Sequence, residues 1–229
     1  MKTTAIVLSA GKGKRMNSDI PKQYMPLLNH PVIYYALKAF EDSVVDEIIL
    51  VAGADDFDYL KREIIEEYSF KKVTKIVTGG AERYNSVNNG LLAADPNTDY
   101  VFIHDGARPL ITPEMVSTLL KEVKEKKAVV AACPAKDTIK VVDANGKVVS
   151  TPDRKTLWQI QTPQVFEYAL VKQAYAKAIA ANDTTLTDDA MVVETYSDRN
   201  VYTINTGSGN LKITTPEDIL MAEILLEKS

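Results

Sequence analysis

Short hydrophobic runs alternate with amphipathic segments along most of the chain. Ala5–Leu8 has the apolar character of a buried strand, and Val32–Phe40 follows with helical spacing. The order then repeats, with predicted strands at Glu47–Val51, Val73–Val77, Asp99–His104 and Ala128–Cys133, and predicted helices at Asp56–Tyr68, from Glu82 to Ala94 and from Thr112-Pro113. Strands that alternate with helices predict an α/β fold with a Rossmann-like, mostly parallel sheet flanked by helices. We expect a single domain over residues 1–229.

The regular alternation stops after Cys133. Thr138–Val142 and Lys147–Ser150 flank Asp143-Ala144-Asn145-Gly146, and Asn-Gly between two strand-like runs indicates a β-hairpin. We interpret residues 137–155 as a projecting β-hairpin arm, which by itself is compatible with decoration or with a dimer contact. The remaining predicted elements are a helix at Phe166–Ala181, a helix capped by Thr187 that runs to Tyr196, a strand at Val201–Asn205 and a final helix from Thr215-Pro216 to Glu227.

Composition excludes several classes of protein. The chain has 229 residues, a net charge of −4 and a pI near 5.3, which argues against general nucleic-acid binding. The single cysteine, Cys133, excludes an internal disulfide and is expected to be a reduced core residue. No apolar run has the length of a membrane span. We therefore expect a cytoplasmic protein without a membrane or nucleic-acid partner.

The stretch after the first strand has the composition of a phosphate site. Gly11 and Gly13 allow a sharp turn whose N–H groups can approach an anion, and Lys12, Lys14, Arg15 and Lys22 add positive charge nearby. A glycine turn made only for packing is the alternative. A Walker loop does not fit because Arg15 follows Gly13-Lys14, and a dinucleotide fingerprint does not fit because Met16 replaces its third small residue.

Two further loops follow predicted strands, at the edge of the sheet where open α/β proteins bind ligands. Gly79-Gly80 precedes Arg83 and Ser86, and backbone N–H groups of this loop could bind a base or a ribose. The alternative is a glycine turn followed by a solvated Arg83. Asp105 ends a buried strand and is a candidate Mg²⁺ ligand, with Arg108 as a candidate phosphate partner. An internal Asp105–Arg108 ion pair is the alternative. His104 is expected to be a packed residue and not a catalyst.

Taken together, these motifs resemble one enzyme family over nearly the full chain. They are Ala10-Gly11-Lys12-Gly13-Lys14-Arg15-Met16, Pro21-Lys22-Gln23-Tyr24, Gly79-Gly80-Ala81-Glu82-Arg83 with Ser86-Val87, His104-Asp105-Gly106-Ala107-Arg108-Pro109, Asp137-Thr138-Ile139-Lys140, Arg154 with Leu157-Trp158, Gln161-Thr162-Pro163-Gln164 and Asn210-Leu211-Lys212-Ile213-Thr214. The sequence resembles the 2-C-methyl-D-erythritol 4-phosphate cytidylyltransferases of the non-mevalonate isoprenoid pathway. The order of the motifs is that of the family.

The resemblance implies transfer of CMP from CTP to the phosphate of methylerythritol phosphate, with Mg²⁺ as cofactor and release of pyrophosphate. It implies a nucleotidyltransferase fold of the nucleotide-diphospho-sugar type and a homodimer joined through the arm. The catalytic residues that it implies are Arg15, Lys22, Arg154 and Lys212. The nucleotide site would contain Ser9, Ala10, Gly11, Gly13, Arg15, Lys22, Gly80, Ala81, Arg83, Ser86 and the metal ligand Asp105. The acceptor site would contain Arg108, Thr138, Arg154 and Lys212, with Thr138 and Arg154 serving the partner subunit.

Three positions depart from the family pattern. Ser9 replaces a common alanine, and Ala81 and Gly209 each stand where some relatives carry aspartate. Whether the Gly209 region has a role in metal or substrate binding is therefore left open. Two alternative functions also remain open on the sequence alone. One is a cytidylyltransferase for ribitol 5-phosphate, and the other is a nucleotide-binding module without turnover.

Overall fold

The computed structural model describes residues 1–11, 16 and 20–228. Its strands are β1 (Thr3–Leu8), β2 (Pro26–Leu27), β3 (His30–Pro31), β4 (Glu47–Ala52), β5 (Val73–Thr78), β6 (Tyr100–Asp105), β7 (Ala128–Pro134), β8 (Val141–Val142), β9 (Val148–Ser150), β10 (Trp158–Glu167) and β11 (Tyr202–Asn205). Its α-helices are α1 (Val32–Glu41), α2 (Phe57–Tyr59), α3 (Arg83–Ala93), α4 (Pro113–Lys126), α5 (Tyr168–Ala181), α6 (Asp189–Tyr196) and α7 (Pro216–Leu226).

Within the described residues, seven strands form one sheet in the order β11-β7-β10-β6-β1-β4-β5. The pairs β1–β4, β1–β6, β4–β5 and β7–β11 are parallel, and β10 is antiparallel to both β6 and β7. The predicted mostly parallel sheet is confirmed. Leu8 lies opposite Asp105 on one side and Val51 on the other, so these strands end at one common edge.

Helices cover both faces of the sheet because its strands bury side chains in both directions. Ala5 and Val7 of β1 belong to one core with Ile33 and Phe40 of α1. Ile6, between them, belongs to the core on the opposite face, where α3, α5 and α6 pack. This alternation along a strand buried on both faces explains the continuous apolar runs in the sequence.

Strand β10 was not predicted. Its register with β7 shifts between Ile160 and Gln164, and this irregularity accommodates Pro163, which lacks a backbone donor. The prediction of a helix at Phe166–Ala181 was wrong at its start, because Phe166 pairs with Val101 and Ala128 in the sheet and α5 begins at Tyr168.

Smaller differences concern helix geometry and caps. The segment predicted as a helix from Asp56 to Tyr68 is helical, but Leu60–Glu66 has π-helical hydrogen bonding. Asp188, and not Thr187, caps α6 by accepting a hydrogen bond from the N–H of Met191. Thr112 caps α4 as predicted, and Cys133 is a buried free thiol. In the described ranges no helix combines the length and the apolar character needed to cross a bilayer.

The predicted hairpin is present as β8 and β9, joined by a turn at Asp143–Gly146 in which Gly146 has a φ of +80°. Its apolar residues face solvent in the single chain, with Val141, Val142, Val148 and Val149 between 46% and 64% exposed. The arm is thus a surface rich in valine that the single chain does not cover.

Candidate active site

A cleft of about 690 Å³ opens where β1, β5 and β6 end. Most of the predicted site residues in the described chain line it, namely Ser9, Ala10, Gly11, Lys22, Gly80, Ala81, Arg83, Ser86, Asp105 and Lys212. Gly13 and Arg15 lie outside the described residues. The carboxyl ends of three parallel strands therefore bring together loops that are distant in sequence, and Lys212 joins them from the segment that follows β11.

The loop after β1 is held in place through its carbonyl groups. The Nε2 of Gln23, a residue that is 2% exposed, donates to the carbonyl oxygens of Ser9 at 2.5 Å and Gly11 at 3.2 Å. The Ser9 N–H donates to the carbonyl of Val51 at 2.7 Å. In the described part of the chain, the N–H groups of Ala10 and Gly11 have no partner, so they are available to an anion. No role was predicted for Gln23, although it lies within the family motif Pro21-Lys22-Gln23-Tyr24.

The Gly79-Gly80 loop packs directly against the loop after β1. A Cβ added at Gly79 would overlap the Cβ of Ala10, so the close approach of the two loops requires glycine there. The Gly80 N–H donates to Ser86 Oγ at 2.9 Å. The next N–H along the loop, that of Ala81, has no partner among the described residues. Ser86 thus shapes this loop from the first turn of α3.

Asp105 is the centre of a charged network on the floor of the cleft. Lys212 Nζ lies 2.6 Å from its Oδ2, and Arg83 Nε lies 3.4 Å from its Oδ1. Burial alone would raise the pKa of Asp105, but the positive charges of Arg83 and Lys212 lower it well below its usual range. Asp105 is therefore an ionised carboxylate that is only 8% exposed.

The alternative of an Asp105–Arg108 ion pair is wrong. Arg108 Nη1 instead donates to the carbonyl oxygen of Asn210 at 2.7 Å, and Arg108 Nε is buried without a partner among the described residues. Burial lowers the pKa of the Arg108 guanidinium. A buried guanidinium with an unused donor is suited to an incoming anionic group.

The alternative of a solvated Arg83 is also wrong. Its Nη1 and Nη2 each lie 2.8 Å from one carboxylate oxygen of Asp189, which is completely buried. Sequence reasoning missed Asp189, because Asp188-Asp189 at a helix start looks like an ordinary helix cap.

A second, smaller cleft of about 160 Å³ shares Arg83, Asp105 and Lys212 with the first. Arg108 and Asp188 are among its other lining residues. Two ligand groups can therefore lie side by side, with Asp105 and Lys212 between them.

His104 stabilises this region from within the sheet, as expected for a packed residue. It has no exposed surface, its Nδ1 lies 3.1 Å from Thr162 Oγ1, and its Nε2 lies 3.2 Å from the carbonyl oxygen of Arg108. Burial lowers its pKa to about 4, so the imidazole is neutral at pH 7. Thr162 Oγ1 also accepts the N–H of Asp105 at 3.0 Å.

Two predicted residues do not line either cleft of the single chain. Thr138 is exposed on the arm, and Arg154, also exposed, donates from Nη1 to the carbonyl oxygen of Lys136 at 2.9 Å. Lys22 does line the larger cleft, where its Nζ donates to the carbonyl oxygen of Ile213 at 2.8 Å.

Asp105 is chemically suited to bind Mg²⁺ only if bound phosphate groups and water supply the other ligands of the ion. Across residues 1–11, 16 and 20–228, no three His, Cys, Asp or Glu side chains are grouped to hold a metal ion. Mg²⁺ often uses one or two carboxylates and takes its other ligands from phosphates and water. A single ionised carboxylate beside the loop after β1 fits that mode of binding.

Comparisons with known proteins agree with this site. A family model described as 2-C-methyl-D-erythritol 4-phosphate cytidylyltransferase matches residues 3–228. A protein of that name from Lachnospira eligens is 52% identical over 226 residues, covering 98% of this chain and 99% of its own length. Another, from Lachnoclostridium phytofermentans, is 49% identical over 227 residues, covering 99% of this chain and 97% of its own.

The likeness extends to three dimensions. The crystal structure of a 4-diphosphocytidyl-2C-methyl-D-erythritol synthase from Anaerococcus prevotii is similar with a TM-score of 0.86 at 34% identity. The match covers 99% of this chain and 96% of that one. Sequence, fold and the order of the motifs agree from end to end, and the chain belongs to the 2-C-methyl-D-erythritol 4-phosphate cytidylyltransferase family.

Proposed function

We propose that the chain transfers CMP from CTP to the phosphate of 2-C-methyl-D-erythritol 4-phosphate, a step of isoprenoid biosynthesis, and releases pyrophosphate. The observation that carries this proposal is the larger cleft. It combines a loop whose N–H donors have no partner among the described residues, the ammonium groups of Lys22 and Lys212, and the ionised Asp105. Such a cleft is suited to binding and reacting two phosphate-bearing molecules.

In the proposed reaction, a phosphate oxygen of the acceptor attacks the α-phosphorus of CTP in line. The bond from that phosphorus to the oxygen bridging to the β-phosphate breaks, and pyrophosphate leaves with the electron pair. Negative charge grows on the oxygens around the α-phosphorus, so fixed cations lower the barrier more than they stabilise the bound substrates. We assign this role to Lys22 and Lys212, and to Arg15 outside the described residues.

We assign the triphosphate to the loop after β1, where the Ala10 and Gly11 N–H groups are available. We extend this assignment to Gly13, which belongs to the same glycine-containing motif. The loop containing Gly80 and Ala81 would bind the base and the ribose, and the N–H of Ala81 is a donor without a partner in the described part of the chain. Arg83 and Ser86 fix the position of that loop and of its ligand.

We propose Mg²⁺ as the cofactor and Asp105 as its protein ligand. When bound, the ion would neutralise phosphate charge and so reduce the repulsion between two anionic substrates. Lys212 and Arg83 already hold the Asp105 carboxylate in its ionised form in the free site. The carboxylate therefore needs no proton loss before it binds a cation.

The acceptor is proposed to lie in the smaller cleft, with its phosphate against Arg108 and Lys212. Thr138 and Arg154 would complete this site from the arm of a second subunit. Two facts support a homodimer: both residues lie outside the clefts of their own chain, and the valines of the arm are exposed. We further propose that the enzyme works in the cytoplasm, where CTP is made.

Pyrophosphate release tests the proposal. With CTP and Mg²⁺, we expect turnover with 2-C-methyl-D-erythritol 4-phosphate and little with ribitol 5-phosphate at the same concentration. Faster turnover of ribitol 5-phosphate would overturn the acceptor assignment. Calorimetric binding of CTP without pyrophosphate release from either acceptor would show a nucleotide-binding protein without this activity.

A further inference from the structure

We propose that Asp189 is a positioning residue that fixes the guanidinium of Arg83 for nucleotide binding. The inference rests on the proposed function, which places Arg83 in the nucleotide site. It adds a residue that touches neither substrate and acts only through Arg83.

The geometry is that of a two-point clamp. Arg83 Nη1 and Nη2 lie 2.8 Å from Oδ1 and Oδ2 of Asp189, so the planar guanidinium meets the carboxylate with two parallel hydrogen bonds. The hydroxyl of Tyr175 also donates to Oδ1. Asp189 begins α6, Tyr175 lies on α5 and Arg83 begins α3, so the carboxylate connects three helices on one face of the sheet.

The carboxylate side of the clamp is shielded from water. Asp189 has no exposed surface, and a buried carboxylate without a cationic partner would be strongly destabilised. Burial tends to lower the pKa of Arg83, but the charges of Asp189 and Asp105 raise it well above its ordinary value. The guanidinium is held as a cation in one orientation.

This orientation matters for the proposed metal ligand. With both Nη atoms on Asp189, Arg83 presents only Nε towards Asp105, at 3.4 Å from Oδ1. Without Asp189, we expect the whole guanidinium to turn towards Asp105, to which its Nε already donates. Arg83 would then leave the nucleotide loop and occupy the carboxylate that the reaction requires.

A purely structural clamp between helices is the competing explanation, and a double-mutant cycle separates the two. The test compares the wild-type protein with Arg83→Gln, Asp189→Asn and the double variant, measuring CTP affinity by calorimetry and the KM and kcat of the full reaction. We expect each single change to weaken CTP binding by about tenfold to a hundredfold, the range of one lost charged hydrogen-bonding group. KM for CTP should rise more than kcat falls.

If Asp189 acts through Arg83, the double variant should bind CTP about as weakly as Arg83→Gln alone. The inference is overturned if the double variant loses CTP affinity by the product of the two single losses, or if Asp189→Asn keeps the wild-type affinity. Either result would leave the proposed function intact. Wild-type CTP affinity in Arg83→Gln would instead contradict the role of Arg83 in the proposed function.

Tyr175→Phe is the matched control, because it removes one hydrogen bond from the same carboxylate and leaves the clamp on Arg83. It should lower the melting temperature and keep the affinity for CTP. If Asp189→Asn does not fold, Arg83→Lys tests the clamp from the other side, since one ammonium group cannot span both carboxylate oxygens. Unchanged CTP binding by Arg83→Lys would overturn the inference.

Discussion

Lowering the pH from 7 to 5 should destabilise the fold through His104. The imidazole is fully buried, and its pKa is lowered from 6.5 to about 4 because burial disfavours the charged form. Between these values the unfolded chain binds a proton that the folded chain does not. The stability that neutral His104 contributes is complete above pH 6.5 and is lost as the pH falls towards 4.

The size of the effect follows from the two pKa values. They differ by about 2.5, which corresponds to a total of about 3 kcal/mol in the free energy of unfolding. About 2 kcal/mol of this is lost between pH 7 and pH 5. Asp105 does not contribute in this window, because its pKa is lowered and its stabilisation is lost only at more acidic pH.

Urea denaturation followed by circular dichroism at pH 7, 6 and 5 measures this loss directly. His104→Asn removes the titrating group and should flatten the pH dependence, whereas His30→Asn, at the only other histidine, should keep it. The predicted role of His104 is refuted if the wild-type protein loses less than about 0.5 kcal/mol over this range. It is also refuted if His104→Asn loses as much stability as the wild-type protein.

Three further predictions concern the site and the arm. Lys22→Ala should lower kcat by about a hundredfold, the effect of removing one preorganised charge, while calorimetry still detects CTP binding. The control is Lys75→Ala, which should keep the wild-type kcat, because the Lys75 ammonium also donates to a backbone carbonyl but lies outside the site. Gly79→Ala forces apart the two loops of the nucleotide site, so it should raise the KM for CTP and lower the free energy of unfolding, measured by urea denaturation, by about 1–3 kcal/mol. The control is Gly209→Ala, which should change neither quantity, because a Cβ added there meets no atom within 4 Å. Arg154→Ala should raise the KM for the acceptor. Mixing it with the Lys22→Ala protein should restore pyrophosphate release, because one site of the mixed dimer would be intact. No recovery in verified mixed dimers would contradict a site shared between subunits.

The sequence was sufficient for the parallel strands of the sheet and for the position of the larger cleft. Parallel strands that are buried on both faces have continuous apolar runs, so β1, β4 and β6 could be recognised individually. Their carboxyl ends must meet at one edge, which is why Ser9, Gly80 and Asp105 could be expected together before any coordinates were known.

Other features depended on long-range contacts that local patterns do not record. Strand β10 contains Pro163, which argues against a central strand unless the register shift beside it is known. Asp189 pairs with Arg83 across 106 residues of sequence, and nothing near either residue indicates the partner. The alternative of an Asp105–Arg108 pair was wrong for the same reason, since the ammonium that pairs with Asp105 belongs to Lys212, 107 residues away.

We propose that CMP passes directly between two substrates held in adjoining clefts, without a covalent intermediate. The stereochemistry at the α-phosphorus tests it most directly. CTP made chiral by sulfur at the α-phosphate would be converted with 2-C-methyl-D-erythritol 4-phosphate, and the product's configuration determined by ³¹P NMR. We expect inversion, the result of one in-line displacement. Retention would contradict it, because two displacements through a nucleotide-bound enzyme would then be required.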